Sequence, residues 1–193
     1  MKQFILILVV ATALLAACNN NNKPTTEPAT EKAAADSALL NKQAEEIQMR
    51  AEELLKLSSI SNDELKALLP ASLMATKSSD IQAASLNGTG FASAKYSLND
   101  STELEVSIWD CGGPGGSGYY QRQAMTMASL EAATEKGDAK IIDFMGQKAI
   151  EQCDKNDNRC SLTYFGGKRY WVVIAGHNIH PDGLKQAAND LRL

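Results

Sequence analysis

The chain has 193 residues, 44% of them hydrophobic, and its 19 Lys and Arg against 23 Asp and Glu give a net charge of −4. That acidic balance, without a basic run, excludes a nucleic-acid partner, because neutralising phosphates takes clustered Lys and Arg. The length suits one domain with a real core, and only the N-terminus is apolar enough to concern a membrane.

Lys2 and the unbroken apolar run FILILVVATALL (residues 4–15) have the layout of a secretory signal peptide, too short for a comfortable membrane span. The run ends in Leu15-Ala16-Ala17-Cys18, a branched residue, two small ones and a thiol. The segment resembles the lipobox signal peptide of bacterial lipoproteins. The resemblance implies removal of residues 1–17 and acylation of Cys18 on its sulfur and its new amino group. Cleavage leaves 193 − 17 = 176 residues, and loss of Lys2 takes the charge from −4 to −5. Two or more acyl chains hold a protein stably on a bilayer. The implied address is the cell envelope, with the membrane as partner through the lipid. The domain would lie in the periplasm or at the cell surface. Asn19 is not the aspartate that retains many enteric lipoproteins at the inner membrane, which favours the outer membrane. The alternative is an ordinary signal peptide cut after Ala17, leaving a free cysteine. Residues 18–35 are polar, contain proline and lack bulky apolar side chains, so they predict a flexible tether.

The remaining residues, 36–193, predict a single α+β domain. Leu40, Ala44, Ile47, Ala51 and Leu54 form one apolar stripe on a helix over 36–58. Packing on its own domain is favoured over a coiled coil, because the stripe is short and rich in alanine. Ser61 to Glu64 is a capping-box pattern that opens a short second helix ending before Pro70. Residues 71–90 show little periodicity and predict a loop. Alternation at Ala92, Ala94, Tyr96 and Leu98, then at Leu104, Val106 and Ile108, predicts a hairpin with one buried face. A helix follows from Tyr119 to Lys136, with Ser117 as N-cap and Gly137 as C-cap. Four strands come next, near 140–145, 148–153, 160–165 and 168–175, with Gly146 and Gly166-Gly167 at turns. The segment RYWVVIA is apolar on both faces, which places it centrally in the sheet. Pro181 opens a C-terminal helix with the stripe Leu184, Ala187, Ala188 and Leu191. The whole predicts an antiparallel sheet of about six strands with an N-terminal helix pair, one inserted helix and a C-terminal helix.

Cys153 and Cys160 flank a turn-rich stretch between two strands. If Asp154 faces Arg159, the two cysteines oppose each other at a separation that a disulfide bridges, leaving Cys111 as the odd thiol. The stretch DCGGPGGSGYY (residues 110–120) lies at a strand-to-helix junction, where phosphate is often cradled. It lacks the lysine of a phosphate-binding P-loop and the βαβ setting of a dinucleotide site, so it predicts a mobile elbow. A weaker version keeps its amides for another anion, although Asp110 would repel one. Trp109, Gly112, Gly113, Gly115, Gly116, Tyr119 and Tyr120 form a candidate contact loop, with covering of the sheet edge as its plain structural role.

His177 and His180 are the only histidines. Cys111 as nucleophile with His177 as base would make a thiol enzyme, and the two histidines with Cys111 or Asp182 a metal site. Grouping of Cys111, His177, His180 and Asp182 in one pocket would favour these readings. The favoured expectation is a non-catalytic binding or structural module, without metal or other cofactor, whose partner is an envelope protein or a small ligand.

Overall fold

The computed structural model describes residues 28–133 and 137–193, with side chains in the first helix from Leu39 onward. The expected signal peptide, Cys18 and the first part of the expected tether lie outside the described residues, as do the last residues expected of the inserted helix.

Helix α1 (Pro28–Leu55) is followed by α2 (Asn62–Ala67) and two short strands, β1 (Ser72–Leu73) and β2 (Thr76–Lys77). Next come β3 (Ser79–Leu86), β4 (Thr89–Asn99), β5 (Thr102–Asp110) and helix α3 (Gly113–Ala132). The chain then runs through β6 (Ala139–Phe144), β7 (Gln147–Asp154), β8 (Arg159–Gly166), β9 (Tyr170–His177) and α4 (Pro181–Leu191). Strands β1 and β2 form a small ribbon; the other seven form one antiparallel sheet in the order β3-β4-β5-β9-β8-β7-β6. The α+β class is as expected, and β9 occupies the middle of the sheet, as its two apolar faces require.

The sheet gains its seventh strand, and the ribbon beside it, from residues 71–90, which the sequence led us to expect as loop. Strand β3 sits at the edge and is exposed along almost its whole length, so its side chains carry no inside-outside alternation to read. Its turn into β4 did carry a signal: Asn87 and Gly88 both have positive φ, the geometry for which Asn-Gly is the favoured pair. In the ribbon, Met74 and Ala75 take the same conformation with φ of 49° and 63°, and no residue preference announces that.

Helix α1 begins at Pro28 rather than Asp36, inside the segment expected as tether. Ala, Glu and Lys dominate there, and such residues suit a helix as well as a solvated coil. Helix α2 carries the predicted box: the Ser61 hydroxyl accepts from the Glu64 amide at 3.2 Å, and the Ser61 amide donates to the Glu64 carboxylate at 2.8 Å. Pro181 stands in the first turn of α4, and all four residues of its stripe are buried.

One face of the sheet carries the main core. Tyr96, Leu104, Val106, Ile108, Leu162 and Ile174 are closed over by Leu65 of α2 and by Leu184 and Leu191 of α4. The opposite face holds Trp171 beneath α1 and α3, with Leu54 of α1 and Cys111 buried beside it. The α1 stripe supplies that cover. Ile47, Ala51 and Leu54 are buried against the domain, whereas Leu40 keeps 38% of its surface exposed. Its charges pair along the helix: Lys42 approaches Glu46, four residues on, at 3.9 Å, and Arg50 meets Glu53, three residues on, at 2.6 Å.

Candidate functional site

The glycine-rich stretch is not an elbow. Gly112 is the N-cap of α3, and the helix begins at Gly113, well before Tyr119. Ser117 therefore lies within the helix, where its hydroxyl donates to the Pro114 carbonyl at 3.2 Å. Ala133, not Gly137, is the C-cap. The glycines permit close backbone packing. A Cβ on Gly115 would fall on the Gly88 carbonyl, and one on Gly116 would fall on the backbone of Asp110 and Cys111. Gly113 and Gly116 are buried, so this part of the candidate contact loop presents nothing to a partner.

Among the amides of this junction, that of Gly112 has an internal anion as its partner. Asp110 is fully buried at the start of α3, and its Oδ1 accepts the Gly112 amide at 3.0 Å. Its Oδ2 accepts the Ile60 amide at 3.0 Å. Arg169, from the β8–β9 turn, closes the group with Nε donating to Oδ1 at 2.7 Å and one terminal nitrogen donating to Oδ2 at 3.1 Å. That terminal nitrogen also donates to the Ser58 carbonyl at 2.6 Å. One carboxylate thus ties the α1–α2 connection, the end of β5, the start of α3 and the β8–β9 turn together. Arg169 was invisible in the sequence because its partner lies 59 residues away.

The four residues of the thiol or metal sketch do not converge. In the β5–β9 ladder Glu103 faces His177 at one end and Asp110 faces Tyr170 at the other. Cys111 follows Asp110, so it is separated from His177 by more than seven residue steps, or about 23 Å. Cys111 is buried, and desolvation pushes its thiol up to about 12. His177 Nδ1 lies 3.2 Å from the Ser101 carbonyl. His180 caps α4, with its Nδ1 accepting the Asp182 amide at 3.4 Å. No group of three His, Cys, Asp or Glu side chains among the described residues is arranged to hold a metal.

Cys153 and Cys160 are directly opposed in the β7–β8 ladder, with Asp154 facing Arg159 as the spacing predicts. Their Cα atoms are 4.1 Å apart and the sulfurs are bonded, leaving Cys111 free.

The aromatic residues of the candidate loop divide between two places. Trp109 stacks on Tyr119 with ring centroids 4.7 Å apart and touches Phe91, covering the β4–β5 side of the sheet. Tyr120 turns the other way and meets Phe165 at 4.7 Å and Trp171 at 6.4 Å. These three rings line a cleft of about 320 Å³ between the helix pair and the sheet. Ile47 of α1 and Ala124, Met127 and Ala128 of α3 complete its apolar lining, and Gln43, Glu46, Glu131 and Lys148 also border it. Gln43 donates to Glu131 at 2.8 Å, and Lys148 lies 3.4 Å from the same carboxylate.

Chemically, the cleft can desolvate an apolar group and place a polar head at its rim. Among the described residues it contains no paired nucleophile and base. Sequence reasoning named Tyr120 but missed Phe165, Trp171 and Glu131, which join it only through the sheet and the α1–α3 packing. Comparison with known protein families, with curated proteins and with solved structures found no match.

Proposed function

We propose that this chain is a lipid-anchored cell-envelope protein whose single α+β domain acts as a non-catalytic binding module, receiving its ligand in the cleft between α1, α3 and the sheet. The observation that carries the binding reading is the cleft itself. It is mostly apolar, three aromatic rings line it, and its volume of about 320 Å³ falls at the lower end of ordinary ligand sites. The anchor rests on the Leu15-Ala16-Ala17-Cys18 pattern and the polar segment after it. The two are connected along the chain: α1, the first element of the described residues, supplies Gln43, Glu46 and Ile47 to the cleft. The lipid would hold the domain at the membrane, at the outer membrane in preference to the inner.

In-cell photocrosslinking tests the binding reading. A benzophenone amino acid at Gln43 is expected to yield a discrete adduct, while the same group at exposed Ser85 on β3 yields none. Absence of an adduct from Gln43, or the same adduct from both positions, contradicts it. Cys18→Ser is expected to move the protein from the membrane to the soluble envelope fraction.

A further inference from the structure

The cleft's lining identifies the chemistry of what enters it, and the inference rests on the binding reading above. An engineered apolar cavity of about 150 Å³ accepts benzene. At about 320 Å³ this cleft has room for a larger apolar body than one ring. Its aromatic lining comes from Tyr120, Phe165 and Trp171, whose ring faces carry negative electrostatic potential. The polar groups near it have the same sign in balance. Glu46, Glu131 and Asp143 supply three carboxylates against two ammoniums. Lys148 spends its charge on two of them, at 3.4 Å from Glu131 and 3.0 Å from Asp143. Lys42, the other ammonium, reaches Glu46 only at 3.9 Å, and both side chains are mostly exposed. Arg50, on the same helix, is taken up by Glu53 at 2.6 Å. Among the described residues, an anion entering here meets an excess of carboxylate, with Lys42 the one loosely paired ammonium, whereas a cation meets carboxylates at the rim and aromatic rings within.

We infer that the cleft selects an organic cation with an apolar body, such as a hydrophobic primary amine or a quaternary ammonium, seating the apolar part against Tyr120, Phe165 and Trp171 and the charge toward Glu46 and Glu131. Cation–π attraction and the carboxylates act in the same direction, so the preference over an anion of equal chain length is expected to be about tenfold.

The test uses decyltrimethylammonium, decyl sulfate and decanol, each below its aggregation limit, titrated calorimetrically into the mature domain. The cation is expected to bind saturably at one per chain and about tenfold more tightly than the sulfate. The double variant Glu46→Gln, Glu131→Gln is expected to remove most of that preference, lowering the affinity for the cation relative to both the sulfate and decanol. Ala124→Leu, which fills the cleft from α3, is expected to weaken all three. Trp171 fluorescence in a Trp109→Phe background supplies a second readout located at the cleft. Equal or tighter binding of the sulfate, or no saturable binding of the cation, overturns the inference. The Gln43 crosslink in cells reports separately on whether the cleft is a binding site for anything, so the two failures are distinguishable.

Discussion

Asp110 has no exposed surface, yet four hydrogen bonds from Arg169, Ile60 and Gly112 satisfy its two oxygens. Removing one partner of a buried ion pair strands the other charge, which typically costs about 3–5 kcal/mol. Arg169→Met is therefore expected to lower the unfolding free energy by about 3 kcal/mol in urea titrations. A loss below about 0.5 kcal/mol, the range of ordinary surface changes, would contradict the hub. The second residue-scale prediction concerns Cys111. Burial raises its thiol from the ordinary 9.0 to about 12, so above pH 9 the unfolded chain gives up this proton while the folded chain retains it. Its contribution to stability is complete below pH 9 and is lost as pH rises toward 12. Tyr119 adds to the same alkaline decline, since burial takes its hydroxyl from 10.0 to about 12. Cys111→Ala is expected to make stability fall less steeply across that window, measured by denaturant midpoints at successive pH values. An unchanged slope contradicts the burial argument. The native thiol is also expected to resist iodoacetamide at neutral pH until the protein is unfolded.

At the scale of elements, the start of α3 is built by what its glycines omit. Gly115 and Gly116 face backbone atoms that cannot rotate away, whereas Gly118 would bring a Cβ no closer than 3.6 Å to the flexible Arg122. Gly115→Ala and Gly116→Ala are expected to destabilise by about 2 kcal/mol or more, as overpacking does. Gly118→Ala is expected to stabilise by up to about 1 kcal/mol through helix propensity. Thermal unfolding of the three variants checks the contrast, and similar behaviour in all three would refute it. This element also shows what the sequence reveals and what it hides. Hairpins with one buried face, the Ser61–Glu64 box and the α4 stripe were legible because alternation, capping and helical spacing are local. The glycine run was misread because its helix forms against a surface, the Gly88 turn, that is remote in sequence. Edge strand β3 was missed because it faces solvent, where alternation leaves no trace, although Asn87-Gly88 marked its turn. Of the site, Tyr120 was readable as an aromatic beside the loop. Phe165 and Trp171 were readable only as sheet residues, since the cleft exists only once α1 and α3 lie over that face.

For the whole molecule, the sheet separates two jobs. Its α2–α4 face is closed over the main core, while its α1–α3 face covers Trp171 and leaves the aromatic-lined cleft beside it. The disulfide between Cys153 and Cys160 closes only a short loop, so it constrains the β7–β8 hairpin more than the domain. Reduction is expected to lower stability by about 2–3 kcal/mol without unfolding the sheet, as read by far-ultraviolet circular dichroism. The Arg169–Asp110 hub joins the α1–α2 connection, at the C-terminal end of the cleft-forming helix, to the sheet. Placing this domain in the envelope depends on Cys18 and the segment leading to α1. Mass spectrometry of the N-terminal peptide of the protein isolated from its native cells tests that placement directly. The account predicts a chain beginning at Cys18 that carries a diacylglyceryl thioether and an acylated amino group. A chain that begins elsewhere, or that begins at Cys18 without lipid, contradicts it.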